Sequence, residues 1–486
     1  MPDKLKSVTN VVAVLLISLI TGLFATTGSI KQVGGFVGVI LAMFLLFSPL
    51  LLFGTVLIFS LVISGLAEFY LGIGQANWLA SILALTLIVA VLISRMSYRK
   101  HSNVNTSKSV GPLVITYLII LVSASVLNSN SIIQFIVGLR NYIPFVGVFL
   151  ALSFLSNSGK ELKLWVYLII FVGLVQLPFC LHQAIFIAPM RQYSLEAIGG
   201  GAESIVGTFG GDPFGGGYTG EMAIYMLLAS CLSLILRSQV RFGKLLSWVI
   251  CLAAIICVAL AETKIVFLLT PLVLALVFFE DIQKSPKKLF GFLFGMFIAL
   301  GSIAIVYAWR FWSQGPEEFW HAFTYSFDPN FMVDPLHRGR VGALVHWWSN
   351  NIVDFDLFHA LIGYGMSSTL ESSRVLGEGS AVSLYGVGLD AHAANKLLWD
   401  VGILGFVLFC LLILRTALNA HRLVGKAIVP QFHLAVLKVS RAAMFCFAAI
   451  LPYQVSVLGG APMQYLFWFF IGYVEYWRRM EGIDNQ

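Results

Sequence analysis

Five side chains are placed so that they could do chemistry together. Arg140 interrupts an otherwise apolar run, in Val137-Gly138-Leu139-Arg140-Asn141-Tyr142, where a charge is costly unless it has a task. Lys264 ends Ala261-Glu262-Thr263-Lys264 between two further apolar runs, and either snorkels beside Glu262 or faces a ligand. Arg338 and Arg340 belong to His337-Arg338-Gly339-Arg340, with His346-Trp347-Trp348 just beyond. His392 lies in Asp390-Ala391-His392-Ala393-Ala394-Asn395, immediately ahead of another apolar run. Fixed guanidinium and ammonium groups stabilise negative charge developing on a phosphate leaving group without help from a metal, and arginine adds a fork matched to phosphate oxygens. An imidazole with an ordinary pKa of about 6.5 can take a proton from a hydroxyl near neutral pH. The set fits attack by a hydroxyl on a carbon whose leaving group is a diphosphate, with His392 as base, Arg340 as catalytic cation, and Arg140, Lys264, Arg338 and Arg340 as anion ligands. It calls for neither metal nor cofactor.

Membrane-embedded helices must hold these groups. A chain of 486 residues that is 59% hydrophobic and only 11% charged, with a mean hydropathy of +0.89, lacks the polar surface to coat a water-soluble globule. Apolar stretches recur from Val8 to Trp477, and a spanning helix needs roughly 20 such residues. The expected fold is all-α: a polytopic transmembrane helix bundle of about 12–14 helices, forming a single domain over residues 1–486. A large, partly helical extracytoplasmic loop at 309–395 precedes the last three helices. Lys4 and Lys6 ahead of Val8 to Phe24 read as a first spanning helix rather than a signal peptide, because no small-residue cleavage site follows.

The formal net charge of +7 does not point to nucleic acid, because most cations sit in the connections between apolar runs. With a cytoplasmic N-terminus, one side collects Arg95, Arg99, Lys100 and Lys108, then Lys160 and Lys163, then Arg237, Arg241 and Lys244. Lys284, Lys287 and Lys288 follow, then Arg415, Arg422 and Lys426, and finally Arg478 and Arg479. The positive-inside rule makes that side, and both termini, cytoplasmic. The opposite side then carries two long stretches, Ala188 to Gly217 and Trp309 to Asn395, where the chemistry should lie.

Within the first stretch the run Gly207-Thr208-Phe209-Gly210-Gly211 reads either as a flexible connection or as backbone bared for a ligand. Arg340 to Trp348 has the apolar spacing of a short helix at the membrane surface. Trp309 and Trp312 suit an interfacial belt, whereas Trp347 and Trp348 are open to either belt or sugar stacking. Asp354-Phe355-Asp356 has the D-x-D form of metal-bound nucleotide-sugar sites, but such donors are cytoplasmic, so a solvated loop is the reading here. All six cysteines fall in apolar segments without paired spacing, which argues against disulfides and zinc.

Four stretches, in order, resemble the O-antigen ligase and O-antigen polymerase superfamily of membrane glycosyltransferases: Gly207-Thr208-Phe209-Gly210; Arg340 followed by Trp347; Leu361-Ile362-Gly363-Tyr364-Gly365; and His392 leading into Gly402-Ile403-Leu404-Gly405. They cover roughly the second half of the chain. The family's histidine is usually followed directly by asparagine, whereas here Asn395 comes three positions later. The resemblance implies a bundle of about a dozen helices in a bacterial cytoplasmic membrane. It also implies metal-independent transfer of an oligosaccharide from undecaprenyl pyrophosphate to a glycan or lipid acceptor, with His392 as base and Arg340 as phosphate ligand. A chain-length regulator is an expected partner of a polymerase. Peptidoglycan polymerases of related topology rely instead on an exterior aspartate, a part Asp390 could take. The reading from a different class is a lipid-linked oligosaccharide flippase or other transporter, which would need a cationic cavity but no covalent step.

Overall fold

The computed structural model describes residues 45–97, 109–155, 159–192, 201–285, 327–332, 337–371 and 377–484, apart from short breaks within them, and scattered positions between 287 and 305. In a hydrocarbon solvent each backbone N–H and C=O needs an internal partner, so so apolar a sequence folds as helices. In chain order the helices used below are α1 (Pro49–Leu71), α2 (Ala76–Ser97), α3 (Gly111–Leu127), α4 (Ile132–Tyr142), α5 (Val146–Phe154), α6 (Gly159–Arg191), α7 (Thr219–Leu236) and α8 (Gly243–Ala261). They continue with α9 (Lys264–Val277), α10 (Arg340–Trp348), α11 (Leu357–Ile362), α12 (Ser380–Tyr385), α13 (Ala393–Val424), α14 (Gln431–Ile450) and α15 (Ala461–Asp484). Among the described residues, 7 helices (α1, α2, α6, α7, α8, α13 and α14) are long and apolar enough to cross a membrane, and the pair α4 and α5, bent by 48°, makes up to 8. The chain is a multi-pass helical membrane protein. The expected segments Val8 to Phe24, Gly35 to Phe47 and Leu289 to Ala308, with Trp309 and Trp312, lie wholly or largely outside the described residues.

Four local breaks shape the site. Pro144, with no N–H and a ring that crowds the preceding turn, falls between α4 and α5 and leaves Arg140 in the last turn of α4 instead of mid-span. A five-residue π-helical stretch interrupts α1 at Phe59–Ile63, and another interrupts α6 at Gln183–Ile187. Gly402 breaks α13 with φ +64, so the carbonyls of Trp399 and Asp400 turn outward and accept Tyr364 N (2.7 Å) and Gly365 N (2.9 Å). A Cβ on Gly402 would stand 2.4 Å from the backbone of Leu361. The two glycine motifs of the second half are thus one joint, the 361–365 turn seated on the 399–402 break. The carboxylate of Asp400, fully buried, completes it by accepting Tyr142 Oη (2.6 Å), Ser368 Oγ (2.7 Å) and the amides of Ser367 and Thr369 (3.2 Å each).

The glycine run is a packed element rather than a loose connection. Gln183 Oε1 accepts the Val206 and Gly207 amides, Gln176 Oε1 accepts the Thr208 amide, and Thr208 Oγ1 donates to Leu61 O at 2.6 Å. Leu61 and Gln183 both belong to the π-helical stretches, whose irregular ladders present groups to a partner. A Cβ on Gly65 would fall 2.1 Å from Thr208 O, so what approaches this backbone is another helix.

The bundle has two chemically different ends. At one, Arg95 and Arg479 both lie over the Phe154 ring (4.0 and 3.9 Å), Lys163 lies over Phe432 and Lys426 pairs with Glu481. Nearby, Glu475 binds Arg478 and Ser109 (2.7 Å each). These are the described members of the expected basic clusters; Arg99, Lys100, Lys108, Arg241 and Lys288 lie outside the described residues. The other end is built from the starts of α2, α7 and α13, the 451–460 turn, the glycine run and α10 to α12. There the second, smaller core gathers Trp347, Tyr364, Val382, Leu389 and Trp399.

Candidate active site

Arg338 and Arg340 share a cavity of about 480 Å³ at the end away from the basic collar, walled also by His337, Glu203, Glu371 and Asp390. The chain enters it on a bridge between Met332 and Arg338, and Gly339, extended at φ −64 and ψ 171, starts α10 at Arg340. Arg340 Nε donates to Tyr453 O (2.8 Å) while its guanidinium lies 4.1 Å from the centre of the Tyr453 ring, which fixes the side chain to the 451–460 turn. Among the described residues no carboxylate pairs with Arg338. That guanidinium keeps donors for an anion.

The carboxylates have distinct holders. Glu371 bridges His337 Nε2 (2.8 Å) and the Gly388 amide (2.6 Å). Glu203 meets Arg191 at 3.3 Å, and burial raises its carboxyl above the usual range against the pull of that guanidinium. Asp390 stands 3.7 Å from Lys396 Nζ, which lies almost wholly buried in the first turn of α13. Burial raises the Asp390 carboxyl, with Glu371 and Asp400 adding to the rise and Lys396 opposing it. A carboxylate made more basic, in a cavity with two guanidinium groups, is equipped to accept a proton.

His392 stands against Arg340 but outside the cavity wall. Its Nδ1 accepts the Asn395 amide (3.2 Å), capping α13, so the proton is on Nε2, which donates to the Arg340 carbonyl at 3.2 Å. The side chain is fully buried, and burial, together with the nearby Arg340 charge, brings it down to about 4 although its contacts with the Arg340 and Leu451 carbonyls oppose this. A base needs an available lone pair; here the only one on the ring already holds a helix end. The three-residue spacing from His392 to Asn395 is the spacing of an N-cap and the amide that donates to it.

The other two expected cations lie apart. Arg140 rests 4.4 Å over Trp78 and lines a separate polar cavity of about 30 Å³ with Asn77, Ser81, Asn141, Tyr218 and Gln464, room for water but not for a diphosphate. Lys264, half-buried, opens α9 after a turn in which Glu262 takes φ 51, and lines neither cavity. Trp347 is buried in the smaller core, whereas Trp348 is exposed. Asp356 of the D-x-D stretch caps α11 and binds His359 Nδ1 at 2.6 Å.

Residues not singled out from the sequence complete the cavity's support. Arg191 is buried, donates to Pro213 O (2.9 Å) and ties the glycine run to Glu203. The rule that selects Arg140, a cation on the side where topology asks for none, would also have selected Arg191. Glu371 carries no such signal. No protein family matches the chain's sequence, and no curated protein is significantly similar to it.

Proposed function

We propose that this chain is a membrane glycosyltransferase that moves an oligosaccharide from a polyprenyl pyrophosphate, undecaprenyl pyrophosphate in a bacterial cytoplasmic membrane, to a sugar hydroxyl. The observation that carries the reading is the single cavity that joins two arginines to a carboxylate of raised basicity. The four ordered motifs shared with the O-antigen ligase and polymerase superfamily support it, as does the place of the cavity at the end away from the basic collar. On the positive-inside rule that end is extracytoplasmic, the termini are cytoplasmic, and residues 309–395 form the exterior loop of a bundle of about 12–14 helices.

Each group then has a task. Arg338 and Arg340 hold the diphosphate and take up the charge that develops on its departing oxygen as the sugar–oxygen bond breaks. Asp390 accepts the proton of the acceptor hydroxyl as that oxygen bonds to the anomeric carbon, and in-line attack inverts the configuration. His392 acts through Arg340, fixing the start of α10 to the start of α13. Arg140 and Lys264 shape the surrounding field and helix ends rather than grip the leaving group.

The test is to incubate the purified chain with a defined polyprenyl-pyrophosphate oligosaccharide and an acceptor, and to weigh the products by mass spectrometry. A ladder identifies a polymerase and a single addition a ligase. No covalent product, with the substrate moved across proteoliposomes instead, would replace this reading with a flippase.

A further inference from the structure

The segment 353–361 leaves an apolar surface uncovered. Phe355 is 80% exposed and Leu357 56%, with Val353, Phe358 and Leu361 exposed beside them. Phe355 also adopts φ 60, a left-handed conformation that an aromatic residue rarely takes, so the turn holds the ring outward against its local preference. A mobile loop would relax both features, but this one is fastened. Asp356 caps α11 and binds His359, whose Nε2 reaches Asn128 Oδ1 at 2.9 Å, and Asn128 Nδ2 donates to Gly363 O at 2.9 Å. His359 stacks flat on Tyr364, ring centres 4.0 Å apart.

The fastening point sets the depth. Asn128 ends α3, whose other end is held by Glu475 through the Val110 amide at the basic collar. At 1.5 Å per residue, 17 residues reach about 26 Å, close to the roughly 30 Å of a bilayer's hydrocarbon core. The α3 terminus therefore lies at the hydrocarbon boundary, and α11 lies beside it. On its other flank α11 meets α13 at Gly402, the tenth residue of that helix, beyond which Leu404, Val407 and Leu411 are exposed on an apolar face long enough to span a membrane. The surface is continuous with the sides of two helices whose apolar faces need hydrocarbon.

We infer that residues 353–361 are embedded in the leaflet on the cavity side, with Phe355, Leu357 and Phe358 below the phosphates and the Asp356–His359 pair at their level. The patch is a lipid-binding wedge next to the site, and this holds whatever reaction the cavity performs. An apolar face lying in the interface enters about 5–10 Å.

Nitroxide-labelled cysteines at Phe355 and, separately, at Phe358 in the full chain test this, with reconstitution into phosphatidylcholine–phosphatidylglycerol nanodiscs and power saturation by oxygen and by a water-soluble nickel chelate. Labels at Leu404 and Asp212 give the lipid and water references, and unsubstituted protein treated identically gives the background of native cysteines. The expected result is a depth of about 5–10 Å inside the phosphates at both positions. Nickel collision at both positions equal to that at Asp212 would overturn the inference. Phe355 is 80% exposed, so its substitution removes little packing, whereas Phe358 also meets the His359 ring edge-on at 5.2 Å, and agreement of the two labels guards against a local disturbance at either.

Discussion

The Nε2 proton of His392 points at the main-chain carbonyl of Arg340, 3.2 Å away, across 52 residues of chain. One buried ring thereby holds the residue that opens α10 to the residue that precedes α13. This makes the imidazole an architectural part of the site.

Stability should register that role. A histidine held near 4 while the unfolded chain titrates near 6.5 contributes stability that is complete above about pH 6.5 and is lost as the pH falls toward 4, because the unfolded state binds the proton first. The full effect is at most about 3 kcal/mol. His392→Gln should be less stable at pH 7, by about 1–3 kcal/mol for a lost cap and an unpaired carbonyl, and should show a flatter fall in melting temperature below pH 6.5. Parallel curves for the two proteins, read by thermal unfolding in detergent, would remove the assignment. The acid limb of turnover should stay in place in this variant.

On the proposed mechanism that limb belongs to Asp390. Asp390→Asn should lower kcat by about 10²–10⁴ with KM for the lipid donor little changed. Turnover should fall with acid at a pH above the ordinary carboxylate range, because burial raises this carboxyl. Lys396→Gln removes the cation that opposes the rise, so its limb should move to still higher pH. Full activity in the Asp390→Asn protein would leave the glycosyl-transfer reading standing and return the search for a base to the cavity wall.

The arginines should separate by what else holds them. Arg340→Ala removes both a proposed anion ligand and the tether to Tyr453, and should abolish product; Arg338→Ala, which breaks no such tether, should mainly raise KM for the pyrophosphate donor. Lysine at 340 should retain a fraction, since charge remains without the planar fork. With guanidinium groups carrying the leaving charge, turnover should survive EDTA, and a strict need for added divalent cation would contradict the mechanism.

The 361–365 and 399–402 joint should tolerate no side chain. Gly402→Ala places a methyl 2.4 Å from the Leu361 backbone at φ +64 and ψ −170, a conformation essentially confined to glycine that alone costs about 1–3 kcal/mol. Gly363→Ala, with a contact of 2.5 Å to Val401 N, should be equally damaging. Because both strain one contact, the double variant should lose less than the sum. Additive losses in melting temperature would show that the joint is two separate turns.

Much of the fold was legible because membrane helices obey one-dimensional rules. Apolar length marked α1, α2, α6 and α13, and cation placement put Arg95, Lys163 and Arg479 on one end before any contact was known. Arg338 and Arg340 were also found together, since two residues apart in sequence they had to be near in space. Arg140 and Lys264 were drawn into the same pocket by charge alone, and sequence carries no distance between α4, α9 and α10. The glycine run admitted a flexible or a ligand-bared reading; what decided for neither was the pair of π-helical stretches, whose extra residue leaves no compositional trace. His392 was read by its chemistry, but the lone pair that chemistry needs is bound by an amide three positions away.

Asp400 sits inside a helix long and apolar enough to span a membrane yet fastens Ser367, Ser368 and Thr369 of the segment between α11 and α12, while Asn128 and Gln134 of the bundle hold Gly363 and Met366 there. The segment between α11 and α12 and the bundle of helices are therefore one cooperative unit. A fragment excised from residues 337–371 would carry these donors and carbonyls with nothing to receive them, and would not acquire the shape it has when joined to its base.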